Sequence, residues 1–264
     1  MTEPEPSPIP FRGGGFAPQP QRWAAPLAFA LLIGAWELAS LAGLLPSLFM
    51  PAPHDVLRAL IRTATEGRLL AHLAASLQRI AWGWLLGAAS GTALGFAIGM
   101  SGLVRAAGLP LLAAGFPIPK IALLPLFILW FGIGEPSKVA TIAFGVFFPS
   151  AVSAYSAVDQ VPRNLIRMAQ SFGLPAAAIV RKIILPGALP GILAGFRISS
   201  SIALILVVAA EMIGAQLGIG AYVLAAGNLM QTDELLAGVL VLSLLGLALG
   251  WLIGRAEAVL LRWR

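Results

Sequence analysis

Cysteine is absent from the 264 residues, which excludes disulfides, zinc–thiolate centres and cysteine nucleophiles. Histidine occurs only twice, as His54 and His72, too few for a histidine metal cluster. Charge is also scarce. Asp, Glu, Lys and Arg make up 11% of the chain, against about 25% in an ordinary soluble domain. No G-x-x-x-x-G-K-[ST] sequence occurs, nor even the dipeptide Gly-Lys, so the chain carries no phosphate-cradling P-loop. H-E-x-x-H and G-x-S-x-G are missing too, and Ser199, Ser200 and Ser201 adjoin no histidine in sequence. The residues therefore point to no catalytic group, no bound cofactor and no metal site.

What is present is apolar: 59% of residues are hydrophobic, and they fall into runs. A helix needs about 20 apolar residues to cross the hydrocarbon core. Such runs lie at residues 24–45, 77–101, 137–158, 189–213 and 235–257. A further region, 106–132, is interrupted by Pro110, Pro117, Pro119 and Pro125 and reads as an interfacial helix followed by a kinked crossing helix. The expectation is an all-α integral membrane protein with a six-span helical bundle. Residues 1–23 are Pro- and Gly-rich and read as a disordered tail, with the membrane domain at 24–264. A cleaved signal peptide fits poorly, because Glu3 and Glu5 sit in the n-region and Glu37 interrupts the apolar run. An amphipathic helix is expected after Asp55.

The net charge of +6 does not indicate nucleic acid, because the basic residues are scattered along span ends. Six spans place both termini on one side. Arg105, Arg163, Arg167, Arg181, Lys182, Arg197, Arg255 and Arg262 join the termini there, whereas Arg58, Arg62, Arg68, Arg79 and Lys138 fall on the other. The excess of cations makes the first side cytoplasmic.

Gly83, Gly87, Gly91, Gly95 and Gly99 recur every four residues and share one helix face. Such a face lets another helix approach closely, either within the bundle or at a subunit interface. Glu37, Lys120, Arg197 and Glu211 lie in or beside apolar segments, where ionisable groups are costly. Each has two readings. Glu37 either pairs within the bundle or serves a pathway; Lys120 either lines a pathway or reaches headgroups. Arg197 either extends to the interface or faces the pathway. Glu211 either holds the Gly-rich turn that follows it or faces the pathway.

Residues 159–189 form a polar island among the spans, with Arg163, Arg167, Arg181 and Lys182 against the single acid Asp159. Lipid accepts neither those charges nor broken backbone, so the island sits in water or against protein. It reads as a short helix, a Gly break, a second helix and a Pro stop, a shape suited to docking.

The island resembles the EAA loop of ABC importer permeases, whose pattern is E-A-A, three residues, G, nine residues, I, one residue, L-P. Gly173 is followed by nine residues and then Ile183, Ile184, Leu185 and Pro186. Arg167, Met168 and Ala169 stand in the E-A-A positions, followed by Gln170, Ser171, Phe172, Gly173 and Leu174. Arg167 reverses the charge of the motif's first residue. The resemblance extends from about Pro51 to the end of the chain and is nearest the nitrate/sulfonate/taurine branch. MPAPHDVLRAL, LLPLFILWFGIGEPSKV, ILPGALPGILAGFRIS and Glu211 with its following GIG carry it. Leu204 departs from the tryptophan common in aliphatic-sulfonate members.

The resemblance implies a type I importer permease fold in which residues 159–189 form a coupling loop against cytoplasmic ATPase subunits that use ATP and Mg. It further implies a second permease copy in a homodimer and a periplasmic binding protein that delivers a small anion across the bacterial inner membrane. Permeases for uncharged or cationic molecules such as thiamine precursors share the branch. A secondary transporter driven by an ion gradient and a non-transporting membrane scaffold are the readings from other classes.

Overall fold

The computed structural model describes residues 23–263, which are predominantly helical and contain no strand. The tail expected at residues 1–23 lies outside the described residues except for Trp23. The chain divides into two compact units, residues 1–57 and 58–264. In the first, α1 (Ala24–Leu41) is apolar apart from Glu37 and Ser40 and has no fully buried residue, as suits a helix facing lipid. It is followed by the opening turn of α2 (Pro53–Thr65), whose first acid is Asp55.

The second unit contains α3 (Arg68–Met100), α4 (Gly102–Gly115), a 3-10 turn at Lys120–Leu123, α5 (Leu124–Phe131) and α6 (Glu135–Asp159). The chain continues through α7 (Arg163–Ser171), α8 (Ala176–Ile179), a π turn at Val180–Ile184, α9 (Leu185–Gly214), α10 (Ile219–Asn228) and α11 (Thr232–Leu260). Five helices are long and apolar enough to cross a membrane, and α4 with α5 make a sixth span if their 90° bend is one broken crossing. Pro117 and Pro119 lie in that bend, where they withhold two backbone donors.

The glycine face of α3 decides between five and six. A Cβ on Gly83 would lie 2.6 Å from Ile142, and one on Gly99 would lie 2.6 Å from Val158. Between them, Cβ atoms on Gly87, Gly91 and Gly95 would overlap the carbonyl oxygens of Ala143, Phe147 and Ala151. The contacts climb both helices together, so α3 and α6 run parallel. Parallel neighbours need one crossing between them, and only α4–α5 can supply it. The same steps show α9 antiparallel to α6, through Gly191 with Ala157 and Gly195 with Ser153. They also show α11 antiparallel to α9, through Gly246 with Leu204 and Gly254 with Arg197.

The glycine face thus meets α6 of its own bundle at backbone contact. Replacing Gly91 with leucine would drive a side chain into the Phe147 carbonyl. We expect a loss of at least about 1–3 kcal/mol, the ordinary cost of overpacking. Thermal unfolding of the purified variant in detergent checks it, and a melting temperature equal to wild type would contradict it.

Three elements differ from the sequence reading. Helix α3 begins at Arg68, nine residues before the apolar run, because Leu69 and Leu73 pack with α10 and α11 rather than with lipid. Its 33 residues span about 50 Å, more than the roughly 30 Å core, and Arg79, read at the outer end of a span, is buried on the face that meets α6 and α9. Lys138 is likewise 4% exposed, with its ammonium donating to the carbonyls of Ile133 and Gly134. Finally, Pro186 does not stop a helix. It enters the first turn of α9 directly after the π turn, where the widened hydrogen-bond pattern tolerates a residue without N–H, so Ala176–Gly214 is continuous.

Candidate functional site

Two polar assemblies occupy opposite ends of the second unit, with a cavity between them. At the end away from the island, the Glu211 carboxylate is fully buried on α9. It accepts from Arg79 Nη1 at 2.7 Å, from Ser76 Oγ at 2.8 Å and from the Gly220 N–H at 2.8 Å. Ser76 in turn accepts from the Ile219 N–H at 2.9 Å. Arg79 also donates to the Leu217 carbonyl at 2.6 Å and forms a two-pronged pair with Glu135 at 2.6 and 2.7 Å. Gly218 has φ +138, and a Cβ there would overlap the Glu211 carboxyl. Its N–H lies 3.1 Å from His72 Nδ1. Glu211 therefore grips the Gly-rich turn before α10, and through Arg79 it ties α9 to α3 and α6.

Arg79, Ser76, His72 and Glu135 were not singled out by the sequence. A signal for Arg79 existed: it lies four residues before Gly83 and extends the glycine row by one step, on the face that meets α6. Next to this assembly, Arg62 pairs with Glu234 at 2.8 Å, and Glu234 accepts from the Tyr222 hydroxyl at 3.2 Å. Glu37 belongs to the first unit, where it accepts from His54 Nδ1 at 2.6 Å.

At the island end, α7 and α8 are joined through Phe172, Gly173, Leu174 and Pro175. Gly173 has φ +71, a left-handed conformation costly for any other residue, with open space around it. Ala169 is 4% exposed and roots α7 in a cluster with Ala157 and Val158 of α6, Ile179, Ile184, and Ala188 of α9. Leu174 and Ile183 pack partly buried against the same cluster. On the outer face, Leu165, Met168 and Phe172 stand exposed, Phe172 by 76%. Arg163, Arg167, Ser171, Arg181 and Lys182 are exposed around them, and Leu185 begins α9 at 45% exposure. The Ser171 hydroxyl closes α7 by donating to the Met168 carbonyl at 2.8 Å. Arg105 on α4 bonds Asp159 at 2.9 Å and the Tyr155 hydroxyl at 3.1 Å, pinning the start of the island. Arg197 pairs with Glu257 of α11 at 2.7 Å, towards the same end.

Between the two ends, α6 and α9 and the broken span line a half-open cavity of about 320 Å³. Lys120 lines it, together with Phe116, Ile121, Phe148 and Leu206. Trp84 Nε1 donates to Ser199 at 3.0 Å, and Ser200 and Ser201 donate to the Arg197 carbonyl, so these serines are structural bonds within the bundle. Among the described residues no group of acidic, histidine or cysteine side chains is arranged to hold a metal ion.

The family described as binding-protein-dependent transport system inner membrane component matches residues 87–262. The chain is 39% identical over 225 residues to a taurine transport system permease protein of Escherichia coli, covering 83% of this chain and 82% of that one. It is 33% identical over 235 residues to a putative aliphatic sulfonates transport permease protein of Bacillus subtilis, covering 89% and 85%. Among solved structures, a methionine ABC transporter described as inward facing superposes with a TM-score of 0.65 at 19% identity, covering 75% of this chain and 98% of that chain.

Proposed function

The chain belongs to the binding-protein-dependent transport system inner membrane component family, and we propose that it forms the membrane path of an ATP-driven importer for a small sulfonate such as an alkanesulfonate or the zwitterion taurine. One observation carries the coupling role. The unit α7–Gly173–α8 is rooted in α6 and α9 through Ala169 and presents Leu165, Met168 and Phe172 to the outside. Bare apolar side chains ringed by arginines suit a groove on another protein better than water. The chain has no P-loop, so nucleotide energy enters through whatever occupies that face. Continuous helix from α8 into α9 gives the docked partner a rigid lever on the bundle.

In this reading two copies of the chain form the path, two ATPase subunits bind the islands from the cytoplasm, and a binding protein delivers substrate on the face bearing Glu135 and Glu211. The island end also gathers Arg105, Arg163, Arg167, Arg181, Lys182, Arg197, Arg255 and Arg262, which supports placing it and the C-terminus in the cytoplasm of a bacterial inner membrane. The sulfonate substrate rests on what the two relatives are named for.

Uptake of radiolabelled taurine and ethanesulfonate into vesicles holding the complete transporter tests the reading. We expect uptake to require ATP and the binding protein and to survive collapse of the proton and sodium gradients. Uptake that follows an ion gradient and ignores ATP would make the chain a secondary transporter instead.

A further inference from the structure

The cavity beside Lys120 holds a cation without a counter-charge. Gly145 lines it on α6, ten residues after Glu135 and fourteen before Asp159, which is about 15 and 21 Å along the helix. That depth lies within the hydrocarbon core. The remaining wall is apolar, including Ile121, Ile202, Leu206, Ala209 and the rings of Phe116 and Phe148, and Lys120 is its one charged residue among those described. No carboxylate lies in ion-pair range of the ammonium among the described residues. Its protein partners are the Gly115 carbonyl at 3.3 Å, the Phe116 carbonyl, and the Phe148 and Phe116 rings at 4.8 and 5.3 Å.

Among the described residues, Arg79 has two carboxylates. Lys138 also donates to two carbonyls, but it lies three residues from Glu135 at the helix end, whereas the chain about Lys120 carries no acid. An ammonium offers three donors, and Lys120 spends two on carbonyls. A full charge at this depth is expensive unless an opposite charge joins it. The bend between α4 and α5 turns the lysine onto the cavity rather than out to headgroups, since the ammonium reaches back to the last turn of α4. The cavity volume lies at the lower end of the range for small-ligand pockets, about 300–1,000 Å³.

We propose that Lys120 is the group that receives the acidic head of the substrate midway across the membrane, with the apolar wall of Ile121, Ile202 and Leu206 taking the alkyl part. The ligand class is a small monoanion with an apolar tail, such as an alkanesulfonate. This rests on the importer reading above. It adds selection for negative charge within the permease itself, beyond any selection by the binding protein.

The cysteine-free chain allows a direct test. Ala209→Cys places one thiol on the cavity wall. Its reaction rates are measured with 2-sulfonatoethyl methanethiosulfonate, an anion, and with 2-(trimethylammonium)ethyl methanethiosulfonate, a cation. We expect the anion-to-cation rate ratio to fall at least about tenfold when Lys120→Gln is added, and to hold with Lys120→Arg; removal of one unit charge from the same cavity wall justifies that size. The ratio also cancels any change in thiol reactivity. An unchanged ratio overturns the proposal, as does failure of both reagents to reach the thiol. In the complete transporter, Lys120→Gln is expected to cut ethanesulfonate uptake at least about tenfold while ATP hydrolysis persists. Uptake at the wild-type rate and KM would overturn it. If wild type moves no sulfonate but the labelling ratio behaves as expected, the substrate reading falls and the anion site stands.

Discussion

Replacing Arg79 with alanine is expected to be the most damaging single change to the fold, costing about 3–5 kcal/mol, because it strands a buried carboxylate. Glu211 has no exposed side-chain surface, and its remaining partners would be one serine hydroxyl and one backbone N–H. The opposite change is milder. Glu211→Gln keeps an acceptor for the Gly220 N–H and leaves Arg79 its two-pronged pair with Glu135, which is 59% exposed and can hold the guanidinium near water. That variant should cost about 1–3 kcal/mol, in the range of a weakened buried hydrogen-bond set. The double variant Arg79→Ala with Glu211→Gln should therefore be more stable than Arg79→Ala alone. Thermal unfolding in detergent reads this as a drop of roughly 6–20 °C for Arg79→Ala, partly recovered in the double variant. A single Glu211→Gln as harmful as Arg79→Ala, or a double variant worse than both, would show that charge burial is not what the network resolves.

The same network marks where sequence reading stops. Long apolar runs are visible one residue at a time, so five of the spans stood out, and the four prolines announced the broken one. A close-packing face on α3 was also written in the chain, as glycines four apart, although which helix it meets, and in which direction, is a tertiary fact. Arg79 was harder. Hydropathy treats it as the edge of a span, and only its partners on α6 and α9, 56 and 132 residues away in sequence, place it inside. Helix α10 escaped for a related reason. Its ten residues are too few to cross the core, and the glycines before it read as a turn. That turn exists because Gly218 and Gly220 close on Glu211, so the small residues serve a contact with a side chain on another helix. The island was legible in shape, since Gly173 needs its left-handed conformation locally. The continuity of α8 with α9 was not, because Pro186 reads as a stop unless the π turn before it is known.

Replacing Phe172 with aspartate is expected to abolish coupling while leaving the fold intact, and the pairing of those two results is what tests the island. The side chain is 76% exposed, and it lies outside the Ala169-centred cluster that roots α7. A surface change of this kind moves stability by no more than about 0.5 kcal/mol. An aromatic anchor buried in a partner's groove is another matter. Its loss typically costs about 2–4 kcal/mol of binding, or roughly 30- to 1,000-fold in affinity, and an aspartate adds the desolvation of a charge. Arg167→Glu supplies the comparison. Arg167 lies at the exposed rim beside the apolar trio, where a charge affects encounter more than affinity, so its reversal should weaken assembly far less and in a salt-dependent way. Co-purification of the ATPase subunits with each variant, ATP hydrolysis by the complex and ethanesulfonate uptake are the three readouts. Loss of all three in Phe172→Asp at an unchanged melting temperature places the aromatic ring inside the partner. Full assembly and uptake in that variant would mean the exposed trio is not the docking face. The energy would then have to enter the bundle elsewhere than through α7.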